Sequence, residues 1–71
     1  MEERTLIEYD PRNDRYNTYL GFEMEADDLD GSFSYYEVYI SNGDTHYAVT
    51  ENTNLVVDYF TSKDELKEEY Q

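Results

Sequence analysis

From Ser34 to Val49, apolar and polar residues alternate on both sides of Asn42-Gly43. Alternation with period two is the signature of half-buried strands. Asn-Gly between two such runs predicts a tight hairpin, because both central residues of a type I′ turn take positive φ. With Asn42 and Gly43 as a two-residue loop, Tyr39 faces His46, Val38 faces Tyr47, Glu37 faces Ala48 and Tyr36 faces Val49. Tyr36, Val38, Ile40, Tyr47 and Val49 then share a face that reads as core. Phe33, Tyr35, Glu37, Tyr39 and His46 share the opposite face, which reads as open surface.

The rest of the chain extends this pattern. Thr5 to Tyr9 predicts a first strand at a sheet edge, with Ile7 and Tyr9 on one side and Leu6 and Glu8 on the other. Asp10-Pro11-Arg12-Asn13-Asp14 is turn chemistry: proline presets φ, and Asn and Asp side chains bond nearby amides. Tyr16 to Glu25 predicts a second strand, with Tyr16, Leu20, Phe22 and Met24 together, Tyr19, Glu23 and Glu25 opposite, and Gly21 as a candidate bulge. Residues 26–32 form an acidic loop, and Glu51 to Asn54 another turn. Leu55 to Phe60 predicts a fifth strand whose register is open, because Val56 and Val57 are both apolar. Ser62-x-x-Glu65 fits a capping box, and Leu66 and Tyr70 fall on one helical face at i, i+4.

The expected fold is therefore α+β: a small antiparallel β-sheet meander of four to five strands with one short C-terminal helix, in a single domain spanning 1–71. The expected core is Ile7, Leu20, Phe22, Met24, Tyr36, Val38, Ile40, Val49, Val57, Phe60 and Leu66.

Charge changes the picture from fold to partner. Eighteen Asp and Glu against five Lys and Arg give a net charge of −13, which opposes contact with membrane phosphates or nucleic acid and favours a basic partner. Nine tyrosines and three phenylalanines, in clean alternation, set the chain apart from acidic disordered segments. Cysteine is absent, which removes disulfides, thiolate metal sites and a thiol nucleophile and is compatible with a reducing cytoplasm. The acidic start, Met1-Glu2-Glu3-Arg4, does not read as a secretory signal, and no run approaches the roughly 20 apolar residues of a membrane span.

Candidate chemistry is sparse. Residues 26–37 resemble an EF-hand calcium loop, with Asp28, Asp30, Gly31 and Glu37 in register, but Ala26 replaces the first ligand and the flanks alternate as strands. An acidic β-loop with glycine at its bend is the expectation, and no metal is expected. His46 is the only histidine, with no second imidazole for zinc and no nucleophile tied to it; it reads as a contact residue. Glu23 and Glu37 are the best acid–base pair on adjacent strands, yet a 71-residue sheet offers little concavity to enclose a substrate. No catalytic residue and no cofactor are expected, and the chain does not read as an enzyme.

The tyrosine and carboxylate face carries more information. Tyr19, Tyr35 and Tyr39 beside Glu23, Glu25 and Glu37 suit a surface that meets Arg and Lys through charge, hydrogen bonds and cation–π contact. His46 adds a polar contact on the same expected face. In size, acidity, lack of cysteine, sheet-plus-helix pattern and the Tyr-rich acidic segments Glu23 to Asp30 and Tyr35 to Tyr39, the chain resembles small phage-type inhibitor proteins. That class includes anti-CRISPRs, restriction inhibitors and uracil-glycosylase inhibitors. No motif aligns, so no functional residue is carried over.

The resemblance implies an anti-defence protein of a phage or mobile element, acting in the host cell cytoplasm. It implies binding to a basic nucleic-acid-binding enzyme complex by mimicry of nucleic-acid charge, without direct contact to nucleic acid or membrane. Glu23, Glu25, Asp27, Asp28, Asp30 and Glu37 are the candidate phosphate substitutes: same-face strand residues lie about 6.6 Å apart, near two nucleotide rises. The alternatives are an acidic interaction or homodimerisation module without mimicry, and the solvated domain of a halophile.

Overall fold

The computed structural model describes residues 2–71. Five strands and one helix follow in chain order: β1 Glu3–Asp10, β2 Arg15–Glu23, β3 Ser34–Tyr39, β4 Thr45–Thr50, β5 Val56–Phe60 and α1 Lys63–Tyr70. The strands form one antiparallel sheet in the order β1-β2-β3-β4-β5. This is the expected α+β meander with its C-terminal helix.

The sheet curls. Ile7 makes a parallel bridge to Leu55, its N–H donating to the Asn54 carbonyl at 2.7 Å, and the Arg4 guanidinium donates to the Thr53 carbonyl at 3.1 Å. The edge strand β1 is thus brought round to the start of β5, which shields part of a row of backbone groups that would otherwise invite pairing. Curling gives the sheet a concave and a convex side, and each carries a core.

The concave core is Leu6, Tyr36, Val38 and Ala48, with Tyr19, Ile40, Val56 and Tyr59 packed against it. Arg4 sits 5.5 Å above the Tyr36 ring in this layer, a cation–π contact. Gly21 lies here because no side chain fits: a Cβ would stand 2.6 Å from Leu6 Cδ1 and 3.1 Å from Tyr36 Cβ. Its pairing with Arg4 and Val38 is continuous, so Gly21 is a point of close packing and not the bulge expected there. The bulge is at Val57 instead. Between Val49 and Thr50 the pairing advances two residues on β5, so Val56 turns inward and Val57 is left exposed.

On the convex side, α1 and the β2–β3 loop cover β3–β5. Leu29, Tyr35, Val49 and Leu66 are buried there, bordered by Met24, Phe33, Tyr47, Phe60 and Tyr70. Leu66 is the buried residue of the helix. Asp64 and Glu65 favour its first turn electrostatically, but Ser62 makes no side-chain cap, so the expected capping box is not formed. Of the expected core, Leu20 and Val57 are exposed, while Leu6, Leu29, Tyr35 and Ala48 belong to it.

The β3–β4 connection corrects the register. Tyr39 pairs with Thr45, Val38 with His46, Glu37 with Tyr47, Tyr36 with Ala48 and Tyr35 with Val49, one residue off the two-residue expectation. Gly43 N–H donates to the Ile40 carbonyl at 3.0 Å, Ile40 N–H donates to the Asp44 carbonyl at 3.1 Å, and Gly43 alone in this loop takes a positive φ, 91°. Ser41-Asn42-Gly43 is therefore a three-residue loop, a turn followed by a left-handed glycine. Asn42 serves through its side chain, accepting from Asp44 N–H at 3.0 Å. A one-residue slip exchanges the faces of a whole strand. Hence Tyr47 and Val49 lie with Tyr35, and His46 and Ala48 with Tyr36.

Candidate functional site: an acidic groove at the β2–β3 loop

The loop between β2 and β3 is held at both ends. Leu29 plugs the convex core, and Asp30 N–H donates to the Tyr70 carbonyl at 2.9 Å. The Asp30 side chain accepts from Ser32 N–H at 2.9 Å, and the Asp30 carbonyl accepts from Tyr35 OH at 2.6 Å. Asp30 is thus the hub of the loop, which explains a local sequence of Asp, Gly and Ser without any cation. Among the described residues, no group of three or more His, Cys, Asp and Glu is placed to hold a metal ion.

This scaffold frames an open groove of about 430 Å³. Five acidic residues line it, Glu2, Glu23, Glu25, Asp27 and Asp30, together with Met24, Phe33 and Tyr35. No Lys or Arg lines it. Such a site offers acceptors and a negative field, beside rings on which a guanidinium can lie.

The expected contact residues divide accordingly. Glu23, Glu25, Asp27 and Asp30 come together at the groove, and Glu2, which sequence patterning did not single out, joins them because Glu23 N–H donates to the Glu2 carbonyl at 2.9 Å. Asp28 looks away, toward a second recess with Leu29, Phe33, Glu69 and Tyr70. Glu37 lies outside the groove and accepts from Tyr39 OH at 2.8 Å; this bond, more than partial burial, holds the Tyr39 phenol above its ordinary pKa.

Three of the expected surface residues are corrected. Tyr35 is only 3% exposed: it is a core side chain whose hydroxyl props Asp30, and burial, then the Asp30 charge, pushes its pKa up. Tyr19 sits on the concave side against Tyr59, ring centroids 5.9 Å apart, and not beside Tyr39. His46 is on the concave side too, its Nδ1 2.7 Å from Tyr59 OH, so it is a partly buried partner of that phenol and does not share a face with Tyr39. The open tyrosine face does not exist as expected, because α1 covers half of it.

Two tyrosines tie the sheet together, and they give the fold an alkaline limit. Burial, then the charges of Tyr19 and Glu8, raises Tyr59 from 10.0 to about 12. Burial, then the hydrogen bond from Tyr70 OH to Asp58 at 3.1 Å, raises Tyr70 to about 12. A raised phenol favours the neutral form when folded, so this contribution is whole below pH 10 and is lost as pH climbs through about 12. Stability measured by urea denaturation should fall across that window. Tyr59→Phe should blunt the fall, and a flat profile from pH 9 to about 12 would contradict the assignment.

Comparison with protein-family models, curated proteins and solved structures finds no match for this chain. Among the described residues, no helix is long and apolar enough to cross a membrane.

Proposed function

We propose that this protein is a binding inhibitor and not an enzyme, an anti-defence protein of a phage or mobile element that acts in the host cytoplasm. It places its acidic groove on the basic nucleic-acid-binding channel of a defence nuclease complex and keeps nucleic acid out. The observation that carries this reading is the convergence of Glu2, Glu23, Glu25, Asp27 and Asp30 around one groove without a cation among them. Each carboxylate carries the single negative charge of a phosphodiester, so a channel's Arg and Lys attract both alike at long range. Met24 and Phe33 add apolar contact that phosphate mimicry alone lacks. The fold supports the same use elsewhere: among the described residues the one ion pair is Arg12–Asp10 at 3.6 Å, which leaves most carboxylates free to act outward.

Competition tests this directly. A panel of purified CRISPR and restriction nuclease complexes is challenged with the protein and labelled nucleic acid. A target should hold one or the other, and its affinity for the protein should fall steeply with salt. Reversing the exposed Glu25 and Asp27 to Lys should weaken binding about tenfold or more, since like charges then face each other. A ternary complex with nucleic acid, or unchanged affinity in the double reversal, would reject mimicry and leave an acidic interaction module.

A further inference from the structure

The helix covers only the β3–β5 half of the convex face. Beyond the helix, on β1, β2 and the far end of β3, the outward apolar positions form a strip of Ile7, Tyr9, Tyr16, Leu20, Phe22 and Tyr39. Tyr16 is 67% exposed, Leu20 54%, Tyr39 53% and Tyr9 48%. The register makes the strip continuous: Tyr9 pairs with Tyr16, Ile7 with Thr18 and Thr5 with Leu20. The rings are already ordered, Tyr9 against Tyr16 at 5.2 Å and Phe22 against Tyr39 at 5.6 Å. A lone exposed tyrosine needs no explanation, but an ordered row of them with an exposed leucine does.

We infer that this strip is a homodimer interface, with a second copy of the chain as its occupant. Charge selects that occupant. In a chain of net charge −13, the strip from Tyr9 and Tyr16 to Leu20 holds no ionisable acid or base besides its phenols, with Thr5 and Thr18 filling the positions between, and Glu3 and Glu37 flank Phe22 only at its end. Two of the carboxylates at its borders are engaged by its own rings: Tyr9 OH donates to Asp14 at 2.7 Å and Tyr39 OH to Glu37 at 2.8 Å. Along the middle of the strip a basic partner would find little to pair with. A second copy brings an equally neutral, aromatic strip, and a twofold axis sets like surface on like.

The area also fits. At roughly half of a 150–250 Å² aromatic side chain each, the exposed rings, Leu20 and the threonines amount to about 600 Å² per copy. Two copies would bury about 1,200 Å², the lower edge of a specific interface, which suits an association that depends on concentration. With the axis near Leu20, the Phe22 end of one copy meets the Tyr9–Tyr16 end of the other. The two acidic grooves, which adjoin the Phe22 end, would then lie at opposite ends of the pair.

Sedimentation equilibrium of the full chain, from low micromolar to millimolar and at low and high salt, tests the dimer. The apparent mass should rise from 8.5 kDa toward twice that value with concentration. Salt should strengthen the association, because it screens the repulsion between two −13 chains. This is the opposite sign to the salt dependence expected for a basic target, so the two proposals fail separately. Leu20→Asp and Tyr16→Ser should remain at the monomer mass with an unchanged circular dichroism spectrum, since both side chains face outward. A wild-type chain that stays monomeric throughout overturns the proposal, as does association that persists in both variants or weakens with salt. Loss of nuclease inhibition by Leu20→Asp, with a monomeric wild type, would assign the strip to the target instead.

Discussion

Leu66→Ala is expected to remove about half of the stability of the whole fold. Leu66 is fully buried and is the buried residue of α1, so the helix docks on the sheet chiefly through this one side chain. Truncating a buried leucine costs about 2–5 kcal/mol, from lost transfer energy and the cavity left behind. A domain of this length has roughly 4–10 kcal/mol in total. The loss is not confined to the helix. Tyr35 and Val49 would be opened to water, and Asp30 would lose the Tyr70 carbonyl that anchors the β2–β3 loop. Urea denaturation followed by circular dichroism should show the midpoint lowered by about half. A midpoint within error of wild type would mean that the helix is not what closes the convex core.

Gly21→Val attacks the other side of the sheet and should be as damaging. A β-carbon at this position would overlap Leu6 Cδ1 at 2.6 Å and press on Tyr36 Cβ at 3.1 Å, and valine adds two methyl groups beyond it. Leu6 and Tyr36 are both buried, so neither has space into which to retreat. Overpacking of this kind costs about 1–3 kcal/mol for one or two methylenes, and more where backbone must move. Gly21→Ala should fall between wild type and valine. A larger residue that stabilised the fold, as strand propensity alone would favour, would show that the concave core is looser than its distances indicate. The double variant Gly21→Ala/Leu6→Ala offers a check: part of the alanine penalty should be recovered, because the overlapping atom is gone.

Much of the architecture is legible in local chemistry. Alternation over Tyr16 to Phe22 and Ser34 to Val49 can satisfy only strands, since period two places every second side chain on one face. Glycine at position 43 meets a loop that needs a positive φ, and the acidic loop and turns at 10–14 and 51–54 carry the side chains that bond their own backbone. The helix after Ser62 is legible from Leu66 and Tyr70 at i, i+4 even though its cap is not made. Strand number, order and antiparallel sense follow, because short loops leave consecutive strands few other ways to pair.

Faces and burial were decided elsewhere. Asn-Gly is compatible with two loop lengths, and the choice of three residues over two moved Tyr47, Val49 and His46 to the opposite sides from those expected. No single strand carries that information, because either register satisfies its own alternation. Curling adds a second core, so a residue such as Leu6 or Tyr35 can be buried on whichever side it points, and the question of core face against open face has no answer strand by strand. The carboxylates Glu23, Glu25, Asp27 and Asp30 are adjacent in sequence and were visible as a group, whereas Glu2 reaches them only through β1 pairing with β2. Local propensity and pattern thus determined what the elements are, since each depends on residues a few positions apart. Which side of each strand is buried, and what the acidic loop encloses, required the closure of β1 onto β5 and the docking of Leu66, contacts between residues far apart in the chain.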